Sequence, residues 1–156
     1  MSEFATNKNV LMTAEDSNYD RMYAEQRKME ARFNEFQFIG SRGTGRIERV
    51  YVRLVTNLRN SYGVDIMIPE KYPFVMPILL PNGWTLKDDA PHTYPSAPRS
   101  LCVMKPAQWH ADMTIAFMTA KAAIWLNKYD CWRETGSWPG AQQKHGLGGL
   151  IEWLVS

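Results

Sequence analysis

The chain has 156 residues, 45% of them hydrophobic and 22% charged, which fits one soluble domain with one core and excludes a disordered chain. Eighteen Lys and Arg stand against 16 Asp and Glu, and no like-charged run appears of the kind a nucleic-acid binder concentrates on one element. No apolar stretch approaches the roughly 20 residues needed to cross a bilayer.

Residues 1–12 read as a loose lead-in without the basic start and apolar run of a signal peptide. A helix capped by Thr13 or Ser17 is predicted to run to about Phe36. Tyr19, Met22, Tyr23, Gln26, Met29, Phe33 and Phe36 recur every three or four positions and mark its inner stripe. Glu15, Asp16 and Asp20 suit the positive end of the helix dipole. From Phe36 the period becomes two. GSRGTG (40–45) lacks the Lys and following helix of a nucleotide-binding loop and reads as a hairpin turn. In RIERVYVRLV (46–55), Val50, Val52 and Leu54 face inward and alternate with Arg49, Tyr51 and Arg53. Arg42, Arg46, Arg49 and Arg53 read as a solvated strand face. TNLRNS (56–61) is a turn, Val64, Ile66 and Ile68 point inward again, and a last strand covers Ile78–Leu80. Short connections predict an antiparallel meander of four strands, in an α+β fold.

Residues 81–113 are proline-rich and nearly aperiodic, and a segment of that length without regular structure is usually functional. TIAFMTAKAAIWLNKY (114–129) follows as a buried helix, capped by Thr114 or Asp112, with Ile115, Met118, Ala122, Trp125, Leu126 and Tyr129 on one face. Cys131 falls just beyond it and reads as structural. Residues 133–146 are irregular, and a short apolar helix from about Leu147 to Val155 closes the chain. No repeat or linker divides residues 1–156, so a single domain is expected.

Two segments carry chemistry. PEKYPFVMP (69–77) cannot be an interior helix or a central strand and predicts a rigid corner packing Tyr72 and Phe74. Cys102 lies in HTYPSAPRSLCVMKPAQWHADMTI (92–115). It and Cys131 form no CxxC pair and no metal-ligand spacing, as expected of reduced thiols in the cytoplasm. A lone cysteine is commonly a small buried hydrophobe. Two observations favour a nucleophile here. Cys102 sits in the aperiodic segment, and His92, Arg99 and Lys105 are near it in sequence, where they would favour a thiolate.

The order of helix, meander, Tyr72–Pro77 corner, His92, Cys102, Trp109 and buried helix resembles the ubiquitin-conjugating enzymes over roughly residues 13–129. His92 lies ten positions before Cys102, as the His of the family's His-Pro-Asn tripeptide does, and QWHADMTI (108–115) is similar to the segment entering the family's second helix. The resemblance implies a ubiquitin-conjugating (UBC-like) fold with a shortened C-terminus. It implies that Cys102 forms a thioester, supported by His92, and that no metal or organic cofactor is required. Thr93 and Tyr94 replace the family's Pro and Asn, so Tyr94 would have to supply what the Asn supplies. Val103 and Met104 stand where an acidic residue usually follows the Cys.

These departures, and WPGAQQKHG (138–146), resemble bacterial members found in CBASS anti-phage systems, of the short type without a fused activating enzyme. That likeness implies an acyl donor, the C-terminus of a cGAS-like nucleotidyltransferase, and a protein acceptor with a Lys amine. It places His110 and Asp112 where the family gates the incoming amine, although Asp112 equally reads as a helix cap. His145 either returns to the active site or is a loop residue, and Trp109 is a packing anchor for the Cys loop. Two other readings stand beside this one: a catalytically inactive binding module, and a cysteine hydrolase using Cys102 with His92 or His145.

Overall fold

In the computed structural model, which describes residues 10–140, the alternating stretches within residues 36–82 form four strands. These are β1 (Phe36–Gly40), β2 (Ile47–Val55), β3 (Ser61–Met67) and β4 (Ile78–Asn82), each antiparallel to the next. The register sets Val52 opposite Val64 and Val50 opposite Ile66, and both pairs are buried with Leu54, Leu79 and Ile68. Residues 41–46 make the expected hairpin turn, with Gly43 and Gly45 at positive φ. On the outer face Arg49 pairs with Asp65 at 2.9 Å and Arg53 with Glu35 at 2.8 Å. At Gly63 a Cβ would meet the Asn82 carbonyl oxygen at 2.6 Å, so only glycine lets β4 and the Tyr51 ring approach this closely.

The sheet does not stop at four strands. The aperiodic segment adds β5 (Thr93–Tyr94) and β6 (Ser100–Leu101), giving the order β1-β2-β3-β4-β6-β5. Strands of two residues are too short to show a period in sequence. Leu101 pairs with Leu79 and is buried, which ties the segment to the core.

Helices differ from expectation in extent and in face. α1 (Arg21–Arg32) is shorter than expected, because Glu15–Asn18 forms a separate 3-10 turn and Tyr19 is extended. Its buried face is Ala24, Glu25, Lys28 and Met29, whereas Tyr19 and Tyr23 are about half exposed. Charged residues occupy the inner face because each finds a partner there; Lys28 meets Asp16 at 2.7 Å. α2 (Ile115–Thr135) runs past Tyr129 to a left-handed Gly136, so Cys131 lies within it, not beyond it. Its cap is Thr114, whose hydroxyl accepts from the Phe117 amide at 3.0 Å and donates to the Val10 carbonyl at 2.5 Å. Asp112 is exposed and does not cap. Among the described residues no helix is long and apolar enough to cross a membrane. His145 and the helix expected over 147–155 lie outside the described residues.

Glu25 is fully buried and joins both helices to the 69–77 corner. Its carboxylate accepts from Arg21 Nε at 2.9 Å, from the Ile115 amide at 2.8 Å and from the Tyr72 hydroxyl. Arg21 continues to the carbonyls of Ala111 and Met113, both at 2.7 Å, and stacks over the Tyr72 ring. Trp109 donates its indole N–H to the Pro73 carbonyl at 2.8 Å. The corner is therefore held through Tyr72 and its own backbone; Phe74, expected to pack, is 80% exposed.

Removing one member of a buried ion pair strands the others, so Glu25→Ala is expected to cost about 3–5 kcal/mol in urea denaturation. Burial pushes the Glu25 carboxyl above its ordinary 4.5, with Tyr72, Arg21 and the Ile115 amide opposing. The folded chain thus holds this proton more tightly than the unfolded one. The stability it brings is full below pH 4.5 and is lost as pH rises through the folded value. Stability of the wild type relative to Glu25→Gln should fall across that window, and a flat difference would remove the titration from Glu25.

Candidate functional site

Cys102 follows β6 directly and is half-buried. Its amide donates to the His92 carbonyl at 3.0 Å, and the same oxygen accepts the Trp125 indole N–H at 2.9 Å. His92 has φ +55, a region that non-glycine residues enter at a cost of roughly 1–3 kcal/mol unless the surroundings enforce it. The two donors on its carbonyl are such an enforcement. His92 thus acts on Cys102 through its backbone. Its imidazole lies against the Trp138 ring, 5.0 Å between centroids, and Trp138 in turn packs on Trp125 at 5.2 Å.

Tyr94, in β5, donates its hydroxyl to the Met104 carbonyl at 3.0 Å, spanning the loop that holds Cys102. Burial, together with a hydrogen bond to the Cys102 thiol, pushes its phenol up to about 12. A phenol has one proton and two lone pairs.

Arg99 and Lys105 are not where their sequence proximity suggested. Arg99 donates to the carbonyl of Lys87 at 3.0 Å and to Thr93 Oγ1 at 2.8 Å, bracing the chain that leads into β5. Lys105 is exposed at the start of a 3-10 turn. Positive charge instead reaches the site from α2. A groove of about 440 Å³ is lined by His92, Cys102 and Val103, by Lys121, Ile124, Trp125 and Lys128 of α2, and by Trp138–Gly140. His110 and Asp112 are exposed and do not line it. The structure therefore brings together His92, Tyr94 and Cys102 but not the two expected gating residues.

Sequence reading missed the site role of Trp125 and Trp138 and both groove lysines. A signal existed: Lys121 and Lys128 are cations on a face shared with Ile124 and Trp125, at positions i, i+3, i+4 and i+7 of α2. Among the described residues no group of three His, Cys, Asp or Glu could hold a metal ion.

A mixed α/β domain with a six-stranded antiparallel sheet, two helices and one cysteine in a groove suits an E2-like protein. The family model described as Type II CBASS E2 protein matches residues 25–146, most of the chain, and the chain belongs to that family. With membership comes an E2-like role in CBASS antiphage defence. No curated protein and no solved structure matches the chain.

The carbonyl shared by Cys102 and Trp125 gives a direct test. Trp125→Phe keeps the ring but removes its N–H, and should cost about 1 kcal/mol of stability in denaturant. It should also speed hydrogen exchange at the Cys102 amide relative to the β2–β3 amides. Unchanged Cys102 exchange would mean that Trp125 does not hold the His92 carbonyl.

Proposed function

We propose that the protein has the UBC-like fold and acts as an acyl transferase that forms a thioester at Cys102. The observation that carries this reading is the placement of Cys102. Its amide is fixed by the His92 carbonyl and it lines a groove of about 440 Å³ together with His92 and Trp125. By family likeness the donor is the C-terminus of a cGAS-like nucleotidyltransferase, and the acceptor is a Lys amine on a protein, in bacterial antiviral defence.

In the first step the Cys102 thiolate attacks the activated C-terminal carbonyl of the donor. The C–S bond forms and the activating group departs. In the second step a neutral acceptor amine attacks the thioester carbonyl and makes a tetrahedral oxyanion. Tyr94 turns its one proton from the Met104 carbonyl to that oxyanion, taking over the task the family gives to Asn. The C–S bond then breaks, and the attacking nitrogen gives its proton to the departing Cys102 sulfur, leaving an isopeptide and the free thiol. His92 supports both steps by holding Cys102 through its carbonyl. His110 and Asp112 have no contact with the groove to support a gating role, so none is assigned to them.

Mixing the protein with its activated donor should give an adduct that thiols remove, and Cys102→Ala should give none. An identical adduct on Cys102→Ala would end the proposal. A hydrolase would release free carboxylate, whereas transfer leaves an isopeptide remnant on the acceptor, which product mass distinguishes. Tyr94→Phe should slow discharge to a lysine acceptor by about 10–100-fold more than it slows loading. Equal slowing of the two steps would assign Tyr94 to the loop's shape alone.

A further inference from the structure

α2 ends on a built reversal. The Gly136 amide, at φ +78, donates to the Trp132 carbonyl at 2.7 Å. Thr135 Oγ1 donates to the Cys131 carbonyl at 2.8 Å and accepts from the Ser137 amide at 3.1 Å. The chain that follows turns back onto the site: Trp138 is half-buried, Pro139 is buried, and both line the groove with Cys102. Trp138 meets two rings there. The His92 imidazole lies 5.0 Å away with its plane tilted by 36°, and the Trp125 indole 5.2 Å away with a tilt of 60°. Trp125 is itself stacked on the buried Tyr129 at 5.1 Å, so it gives Trp138 a fixed backing.

The same two residues set Cys102 from behind. The amide of Cys102 and the indole N–H of Trp125 share the His92 carbonyl, and His92 holds φ +55. Ring and carbonyl of His92 are joined through one Cα, so a contact that holds the ring resists the rotation that would carry the carbonyl off its donors. Ring contacts of this kind are comparable in strength with the cost of a positive φ.

We propose that Trp138 is a positioning residue for the chemistry at Cys102: it clamps the His92 imidazole from the fixed face of Trp125, and so keeps the carbonyl that holds the cysteine amide. The proposal rests on the thioester reading for the reaction it serves, and gives the segment after α2 a part in it. Trp138 touches no reacting atom in this role. It sets how much of the time the sulfur stands where the acyl carbonyl arrives, so its loss acts on the rate of acylation and not on peptide binding.

A short peptide ending in Gly, made as the thioester of an uncharged thiol, tests this without an activating enzyme. The Cys102 thiolate attacks its carbonyl, the new C–S bond forms, and the small thiol departs; intact mass reads the rate. In Trp138→Ala the saturating rate should fall about 10-fold while the half-saturating concentration stays within about twofold. Hydrogen exchange at the Cys102 amide should speed up about 10-fold relative to the β2–β3 amides. Trp138→Phe, which keeps a flat ring on His92, should restore both to within about threefold. In His92→Gly the backbone reaches positive φ without steric cost and carries no ring to clamp, so adding Trp138→Ala should change neither reading further. Unchanged Cys102 exchange in Trp138→Ala would overturn the proposal. So would a raised half-saturating concentration at an unchanged saturating rate, which would make Trp138 a peptide contact, or a full 10-fold loss on top of His92→Gly. If Trp138→Ala lacks a cooperative urea transition, Trp138→Leu, with apolar bulk but no flat ring, takes its place with the same expectations. If the wild type is not acylated, the thioester reading fails, and the exchange rates still decide whether Trp138 holds Cys102.

Discussion

A carboxylate without access to water must be matched by donors, and the match found by Glu25 joins parts of the chain that are far apart in sequence. Arg21 supplies charge from one turn earlier in α1, Tyr72 reaches in from the proline corner, and the Ile115 amide is one of the unpaired donors at the start of α2. Arg21 then closes the backbone of residues 111–113. Four segments thereby share one set of charge-assisted bonds. The orientation of α2 fixes Trp125, Trp125 helps fix the His92 carbonyl, and that carbonyl fixes Cys102. The position of the cysteine can be traced back to a glutamate with which it makes no contact.

Organisation through the backbone separates the two sides of the cysteine. Behind it, the His92 carbonyl and the Arg99 guanidinium set the path of the loop with bonds to main-chain atoms and to Thr93. In front of it, Tyr94 and the groove side chains face whatever approaches. Substitutions on the first side change where the sulfur is; substitutions on the second change what it meets. His92 spans both, because its carbonyl belongs to the scaffold while its ring lies on Trp138 at the groove margin.

The sheet was legible because β2 and β3 bury alternate residues over seven or more positions, a pattern long enough to fix face and register. Cys102 was singled out by its spacing from His92 and by the frame around it. The inner face of α1 was not, because hydrophobicity is a poor guide where the buried residues are Glu25 and Lys28; a sequence does not say which charges will find partners. Arg99 was misjudged for the opposite reason. Its nearness to Cys102 in sequence is undone by the turn into β6, which directs the guanidinium to Lys87, Ala90 and Thr93. The spacing of Lys121, Ile124, Trp125 and Lys128 puts them on one face of α2, but only the packing of α2 against the loop brings that face to Cys102.

The prolines of the loop have a second effect, on the sheet rather than the site. β5 is the last strand on its side, two residues long, with Pro91 before it and Pro95 and Pro98 after it. An unprotected edge offers a row of free N–H and C=O groups to any other extended chain. Here the row is cut short, and proline on either side has no N–H to extend it. The segment that presents the cysteine therefore also terminates the sheet, and extended chains find no place at this edge.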